Sequence, residues 1–270
     1  MVLRIGRIPF LVCAPFFHLF LQRERRFQDY YFEDGVPRAL NKKLWSGEIH
    51  LAPASSIAYA RAPQSLVLAP DICTSSKLEV HSVELFSRCP IEDLSKKRIF
   101  LSSQSATSVA LLRILCSQRY HISPEFIINE NTDFDAKLLI GDEALLEKMK
   151  MGFPYCYDLA SLWHEWQGLP FVFGAWSIHH SALFSDVRPL LEAFLTDVKE
   201  SIKVFRESPE RALASWSALY SNTFPKEFLL NYYGSLDYEF TEERKESLSL
   251  YFLLCKKEGI LLDAPKLKFL

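Results

Sequence analysis

Behind an apolar strand, residues 98–102, the sequence gathers Ser102, Ser103, Gln104, Ser105, Ala106, Thr107 and Ser108 ahead of an apolar helix running to Leu115. Hydroxyl donors beside the unpartnered first-turn N–H groups of a helix can hold a carboxylate or a phosphate. The same residues also make ordinary helix caps, Ser105 above all. On this stretch alone both readings stand. A second stretch, residues 51–60, repeats the order of strand, Ser55 and Ser56, then helix. Two such helix starts facing one cleft suit a dianion, because helix N-termini favour negative charge at short range. Ser82, within the apolar segment 80–87, adds a hydroxyl, and Asp142 stands before residues 143–150 either as a ligand contact or as a helix cap.

Other chemistry-bearing residue types are scattered. The six cysteines (Cys13, Cys73, Cys89, Cys116, Cys156 and Cys255) form no CxxC pair and have no histidine at metal-ligand spacing. Reduced, mostly buried thiols are expected, and no metal and no cofactor. His179 and His180 are adjacent, and on a strand adjacent side chains point to opposite faces, which argues against a shared ion. Trp163, Trp166 and Trp176 are either cleft walls or core aromatics.

The elements that must position these groups alternate. Residues 3–8, 49–55, 65–72, 80–87, 98–102, 125–130, 136–142 and 171–179 read as strands. Residues 36–47, closed by Gly47, the segment from Ser56, the stretch after Ser105 and residues 143–150 read as helices. Such alternation indicates the α/β class with parallel sheets. From Val187 to Leu270 the pattern turns mainly helical, interrupted by a strand at 236–240. With 9 glycines and no Gly/Ser- or Pro-rich linker, two lobes must be joined by strands or short hinges, for which 80–87 and 171–179 are the candidates. The expected organisation is an outer lobe of residues 1–87 plus 175–270 and an inserted central lobe of 88–174, with the ligand in the cleft between them.

Composition narrows the function. At 270 residues and 49% hydrophobic the chain buries a large core, and its net charge of −2 comes from 31 basic and 33 acidic residues intermixed. No broad positive field exists to attract nucleic acid or an anionic membrane, so an anionic ligand must be held locally. The apolar beginning is broken by Arg4, Arg7, Pro9 and Pro15 and reads as structure, not as a signal peptide. No run reaches the roughly 18 apolar residues of a spanning helix. A cytoplasmic protein is expected.

The strings RIGRIPFL (4–11), GVPRALN (35–41), GEIHLAPASSIAYA (47–60), VHSVELFS (80–87), SSQSATSVALL (102–112), LLIGDEAL (138–145), YDLASLWHEWQGLPFVFGAW (157–176) and LDYEF (236–240) cover nearly the whole chain. In order and spacing they resemble the menaquinone-biosynthesis chorismate dehydratases of the futalosine route. The resemblance implies a two-lobed type II periplasmic-binding-protein-like fold used as a cytoplasmic enzyme. That enzyme turns chorismate into 3-enolpyruvylbenzoate and water without a cofactor. A sister family, the dihydroxynaphthoate synthases, places a histidine near the region where this chain has Gly141 and Asp142. The resemblance therefore favours the dehydratases. It implies a substrate site at Ser55, Ser56, Ser82, Ser105, Ala106, Thr107 and Asp142. It also shows a departure: Val12 occupies the position of a family asparagine that reaches the substrate. Three readings follow: another polar group such as Arg7, His81 or Asp142 substitutes, the substrate differs, or the chain is a non-catalytic or divergent binder of a small aromatic or cyclic carboxylate on the same fold.

Overall fold

The computed structural model describes residues 2–22, 27–129, 132–184, 186–217 and 223–270. In chain order its elements are β1 (Leu3–Arg7), α1 (Ala14–Phe17), β2 (Tyr30–Asp34), α2 (Pro37–Ser46), β3 (Leu51–Ser55), α3 (Ser56–Arg61), β4 (Leu66–Ser76) and β5 (Val83–Ser87). Next come β6 (Arg98–Leu101), α4 (Ala106–Ile114), β7 (Glu125–Ile127), β8 (Ala136–Ile140), α5 (Gly141–Lys150), β9 (Tyr155–Asp158), α6 (Leu159–Gln167) and β10 (Phe171–His179). The last elements are α7 (Arg188–Glu207), α8 (Pro209–Ser217), α9 (Lys226–Ser235), β11 (Asp237–Glu239) and α10 (Glu242–Lys257).

These strands build two sheets, ordered β11-β4-β10-β3-β1-β2 and β7-β6-β8-β5-β9. Neither is purely parallel, in contrast to the expectation from alternation alone. In the first, β1 runs parallel to β2 and β3, whereas β10 runs antiparallel to β3 and β4. In the second, β6 is parallel to β7 and β8, and β5 is antiparallel to β8 and β9. β5 and β10 are each the first strand of their sheet after the chain crosses from the other sheet, and β11 is also antiparallel to β4. The chain passes to the second sheet through residues 77–82 and returns by way of α6 and residues 168–170. The two segments expected as hinges are thus strands of different sheets, β5 in the second and β10 in the first.

Local sequence explains most boundaries. α2 starts with Pro37 in its first turn and ends at Gly47, whose φ of 74° is the left-handed conformation that closes a helix. α6 opens on Asp158, whose side chain accepts from Ala160 N and Ser161 N, and ends at Gly168 with φ 72°. α7 presents Leu191, Phe194, Leu195, Val198 and Phe205 to the core, where Phe194 packs against Phe20, Tyr30 and Trp176. β2 and β9 were not expected from the sequence. The strand read at 125–130 is ordered as β7, and its last residue, Glu130, lies outside the described residues. The C-terminal residues 268–270 lie along β4, with Leu68 N donating to Lys268 O and Leu270 N to Leu68 O.

Candidate functional site

A cleft of about 650 Å³, counted to its open mouth, lies between the two sheets. From the first sheet and its flanks come Ile8, Phe10, Val12, Ser55, Thr74 and Phe173; from the second come Val83, Gln104, Ser105, Ser108, Ile140 and Gly141. A larger hollow beneath α7 and α8 takes its lining from the first sheet and its helices alone. Among the described residues lining the inter-sheet cleft there is no Asp, Glu, Lys, Arg or His. Its polar surface is made of hydroxyls, one amide and backbone.

Those hydroxyls are oriented from behind. Ser55 Oγ accepts from Asn41 Nδ2 at 3.2 Å, and Ser82 Oγ accepts from Tyr232 OH at 3.1 Å. Burial raises the Tyr232 phenol far above its ordinary value, so it stays a donor. Ser105 caps α4 by accepting from Ser108 N at 3.1 Å and donates its own proton to Ser108 Oγ at 2.9 Å. A hydroxyl whose oxygen already accepts has its hydrogen left to give. Ser55, Ser82 and Ser108 are therefore aligned as donors into a cleft without cations. Such a lining suits anionic oxygen, since hydrogen bonds to a charged acceptor are the stronger kind.

The remaining candidates sit elsewhere. Ser56 is buried and donates to Val172 O at 2.6 Å, so its hydroxyl holds α3 to β10. Thr107 is fully buried, and its Oγ1 accepts from Ile57 N at 3.1 Å, lacing the start of α3 to the start of α4. Ala106 is the first residue of α4 and offers backbone only. Asp142 does not cap α5: the cap position is Ile140, and the Asp142 carboxylate accepts from Leu11 N at 3.2 Å. Burial pushes that carboxyl up to about 6, against the opposing Leu11 bond. Gly141, which lines the cleft, has φ 62°, donates its N–H to Ser82 O at 2.7 Å, and lies under the Phe10 ring.

Arg7 is paired in bidentate fashion with Asp34 at 2.6 and 2.8 Å, which places its charge away from the cleft. Trp163 and Trp176 are fully buried, Trp166 packs edge-on against Trp163, and none of the three lines the cleft. His179 bonds Ser181 Oγ at 2.8 Å beyond the end of β10. Four cysteines are buried; Cys156 is exposed at the sheet edge, bonding Glu84 at 3.2 Å. One group of possible metal ligands exists among the described residues: His81, Glu84 and Asp158 bring ligand atoms within 4.8 Å of one another. The Lys148 ammonium stands in that group, 3.2 Å from His81 Nδ1 and paired with Glu84, as its cation. Phe10, Phe173, Asn41 and Tyr232 were not singled out by sequence. Their roles come from contacts between distant segments.

Comparison with known proteins bears on this arrangement. A chorismate dehydratase of Thermus thermophilus is 33% identical over 184 residues, 61% of this chain and 65% of that protein. The match thus falls just short of two thirds of that relative's length. A chorismate dehydratase of Campylobacter jejuni is 30% identical over 188 residues, 67% of this chain and 70% of that protein. Among solved structures, a protein from Archaeoglobus fulgidus superimposes with a TM-score of 0.76 at 20% identity, covering 96% of this chain and 98% of its own. The periplasmic aliphatic sulphonate binding protein of Escherichia coli gives 0.69 at 14% identity, covering 97% and 94%. The fold is therefore the two-lobed type II periplasmic-binding-protein-like one, with its ligand cleft between the lobes. The family model described as menaquinone biosynthesis matches residues 3–257, nearly the whole chain, and with the Campylobacter relative it establishes that this protein belongs to the menaquinone-biosynthesis family.

Proposed function

We propose that the protein is a chorismate dehydratase, a hydro-lyase that converts chorismate into 3-enolpyruvylbenzoate and water in the futalosine route, acting in the cytoplasm. The observation that carries this reading is the cleft's lining: aligned hydroxyl donors and no charged side chain among its described residues. Chorismate carries a ring carboxylate and an enolpyruvyl carboxylate. Ser55 on one side of the cleft and Ser82 with Ser108 on the other supply donors for both, while Phe10 and Phe173 face the ring. On this reading the inner lobe is the body around the five-stranded sheet. Relative to the bounds 88–174, it gains β5 and leaves Phe171–Gly174 to the outer sheet.

The chemistry needs little from the protein beyond placement. The bond from C3 to hydrogen and the bond from C4 to hydroxyl break, and the ring becomes aromatic, which drives the step. With no charged side chain or histidine among the described residues lining the cleft, the substrate's own enolpyruvyl carboxylate takes the C3 proton and passes it to the departing C4 hydroxyl, which leaves as water while the carboxylate is regenerated. Orientation and a preorganised donor set are the contributions left to the protein. No helix among the described residues is long and apolar enough to cross a membrane.

The test is direct. Purified protein given chorismate, without metal or nicotinamide, yields 3-enolpyruvylbenzoate identified by mass spectrometry. Chorismate left intact after long incubation at high protein concentration overturns the reading. Thermal stabilisation without turnover would assign the chain instead to binding alone.

A further inference from the structure

Ser82 reaches the cleft from a strained turn. His81 has φ 57°, a left-handed conformation rare for a side chain of its size, and Ser82 N donates to Val80 O at 2.7 Å across it. A three-residue turn of this hand is the unfavourable one and persists only where its surroundings hold it. What holds it is Asp158, whose Oδ2 accepts from Val80 N at 2.8 Å and from His81 N at 2.7 Å. Its other oxygen accepts from Ala160 N at 2.9 Å and from Ser161 N at 3.2 Å, capping α6. Asp158 is 7% exposed, with four backbone donors around its carboxylate. The turn belongs to the passage of the chain into the second sheet, and α6 leads to the passage back. One buried carboxylate therefore ties both passages together.

We infer that Asp158 is a positioning residue: by fixing the turn at His81 to the start of α6 it aims the Ser82 hydroxyl into the cleft and sets the two chain passages against each other. The catalytic half of this inference rests on the cleft being the chorismate site. The half concerning the turn does not.

Asp158→Ser separates the two duties. Serine is as good a helix cap as aspartate, but its short hydroxyl serves α6 alone and leaves Val80 and His81 without their acceptor. The expected results are faster hydrogen exchange at the Val80 and His81 amides, read by mass spectrometry on the peptide 79–84, with far-ultraviolet dichroism unchanged. In the same variant kcat/KM for chorismate falls roughly tenfold or more, as a displacement of about 1 Å in a reacting geometry implies. Adding His81→Gly, which adopts positive φ without help, restores part of the lost kcat/KM; a residue needed for stability alone gives no such rescue. Parent-like exchange at those amides, or a full kcat/KM despite faster exchange, overturns the inference. If the unaltered protein leaves chorismate intact, the substrate reading fails, and exchange, which needs no substrate, still decides whether Asp158 holds the turn. Should Asp158→Ser not fold, the isosteric Asp158→Asn takes its place, losing one acceptor pair and giving the same pattern at smaller amplitude.

Discussion

Replacing Gly141 with alanine probes the cleft through its backbone. At φ 62° a side chain pays conformational strain of about 1–2 kcal/mol, since the left-handed region crowds Cβ against the following carbonyl. Space is not the obstacle: the added Cβ would lie 3.4 Å from Phe10 Cδ2 and 3.6 Å from Phe10 Cγ, ordinary contact at the tight end. The loss of glycine's freedom in the unfolded chain offsets about 0.4–1 kcal/mol. The net destabilisation is then about 0–1.6 kcal/mol, a fall in Tm of at most roughly 6 °C for a domain of this size. Gly168→Ala is the matched control. Gly168 has φ 72° at the end of α6, nothing stands within 4 Å of where its Cβ would lie, and it is not part of the cleft lining. Both variants should lose similar stability by calorimetry. Only Gly141→Ala should lose function, because relaxing its φ turns the N–H away from Ser82 O and moves Phe10. A fall in kcat/KM of roughly tenfold or more is expected for it, and none for Gly168→Ala. Equal kcat/KM in the two variants would refute the argument that the start of α5 is held in shape for the substrate.

Ser56→Ala should cost about 1–3 kcal/mol, because Val172 O is left buried without its donor, while calorimetric binding of chorismate stays as in the parent; weaker binding at full stability would return Ser56 to the ligand. Ser55→Ala should weaken binding, which Ser56→Ala does not, since its hydroxyl stands in the cleft lining, and should also lower Tm because the buried Asn41 amide loses its acceptor. Asp142 is held up at about 6 by burial, from an ordinary 3.8. The folded state therefore binds more protons than the unfolded one between about 4 and 6. That contribution is complete below the unfolded value and is lost as pH rises through 6. Asp142→Asn, which keeps an oxygen for Leu11 N, should show a smaller drop in Tm from pH 5 to pH 7 than the parent; an equal drop would assign the titration to other carboxyls. Val12→Asn places an amide in the cleft wall, where Val12 is only partly buried. Turnover should rise, by up to roughly 10²- to 10³-fold if the amide stabilises the transition state. An unchanged rate would mean that the cleft is built around valine.

Much of this was legible in residue order. Gly47 closing α2 and the apolar runs of β3 and β10 announce themselves, because cap chemistry and burial on both faces leave direct marks in sequence. β2 and β9 do not: both are edge strands, half-exposed and carrying acids, so neither alternation nor a continuous apolar run marks them. α6 carried signals that were readable, an aspartate before it and Gly168 after it. At the site, the convergence of Ser55 and Ser105 on one cleft follows from repeated strand-to-helix turns, while Ser82 comes from the turn that leads into β5. What each hydroxyl does there depends on partners far away in sequence. Ser56 and Ser55 are neighbours of one type, yet Val172 takes the first and Asn41 orients the second. Asp142 likewise looks like a cap, and its partner 131 residues away decides otherwise.

The C-terminal residues beside β4 bear on how the protein survives at high concentration. β11 covers β4 between Ile72 and Ser75 and leaves its earlier residues at the border of the sheet. There an apolar run, Leu66 to Ala69, would offer open backbone donors and acceptors to any other extended chain. Residues 268–270 occupy that border through both polar groups of Leu68, and Lys268 N is fastened to Tyr59 OH at 2.8 Å, inside the core. Residues 268–270 thus cover backbone groups that would otherwise be open to pairing with another strand. Deletion of residues 268–270 would expose an aggregation-prone border while leaving the cleft itself intact.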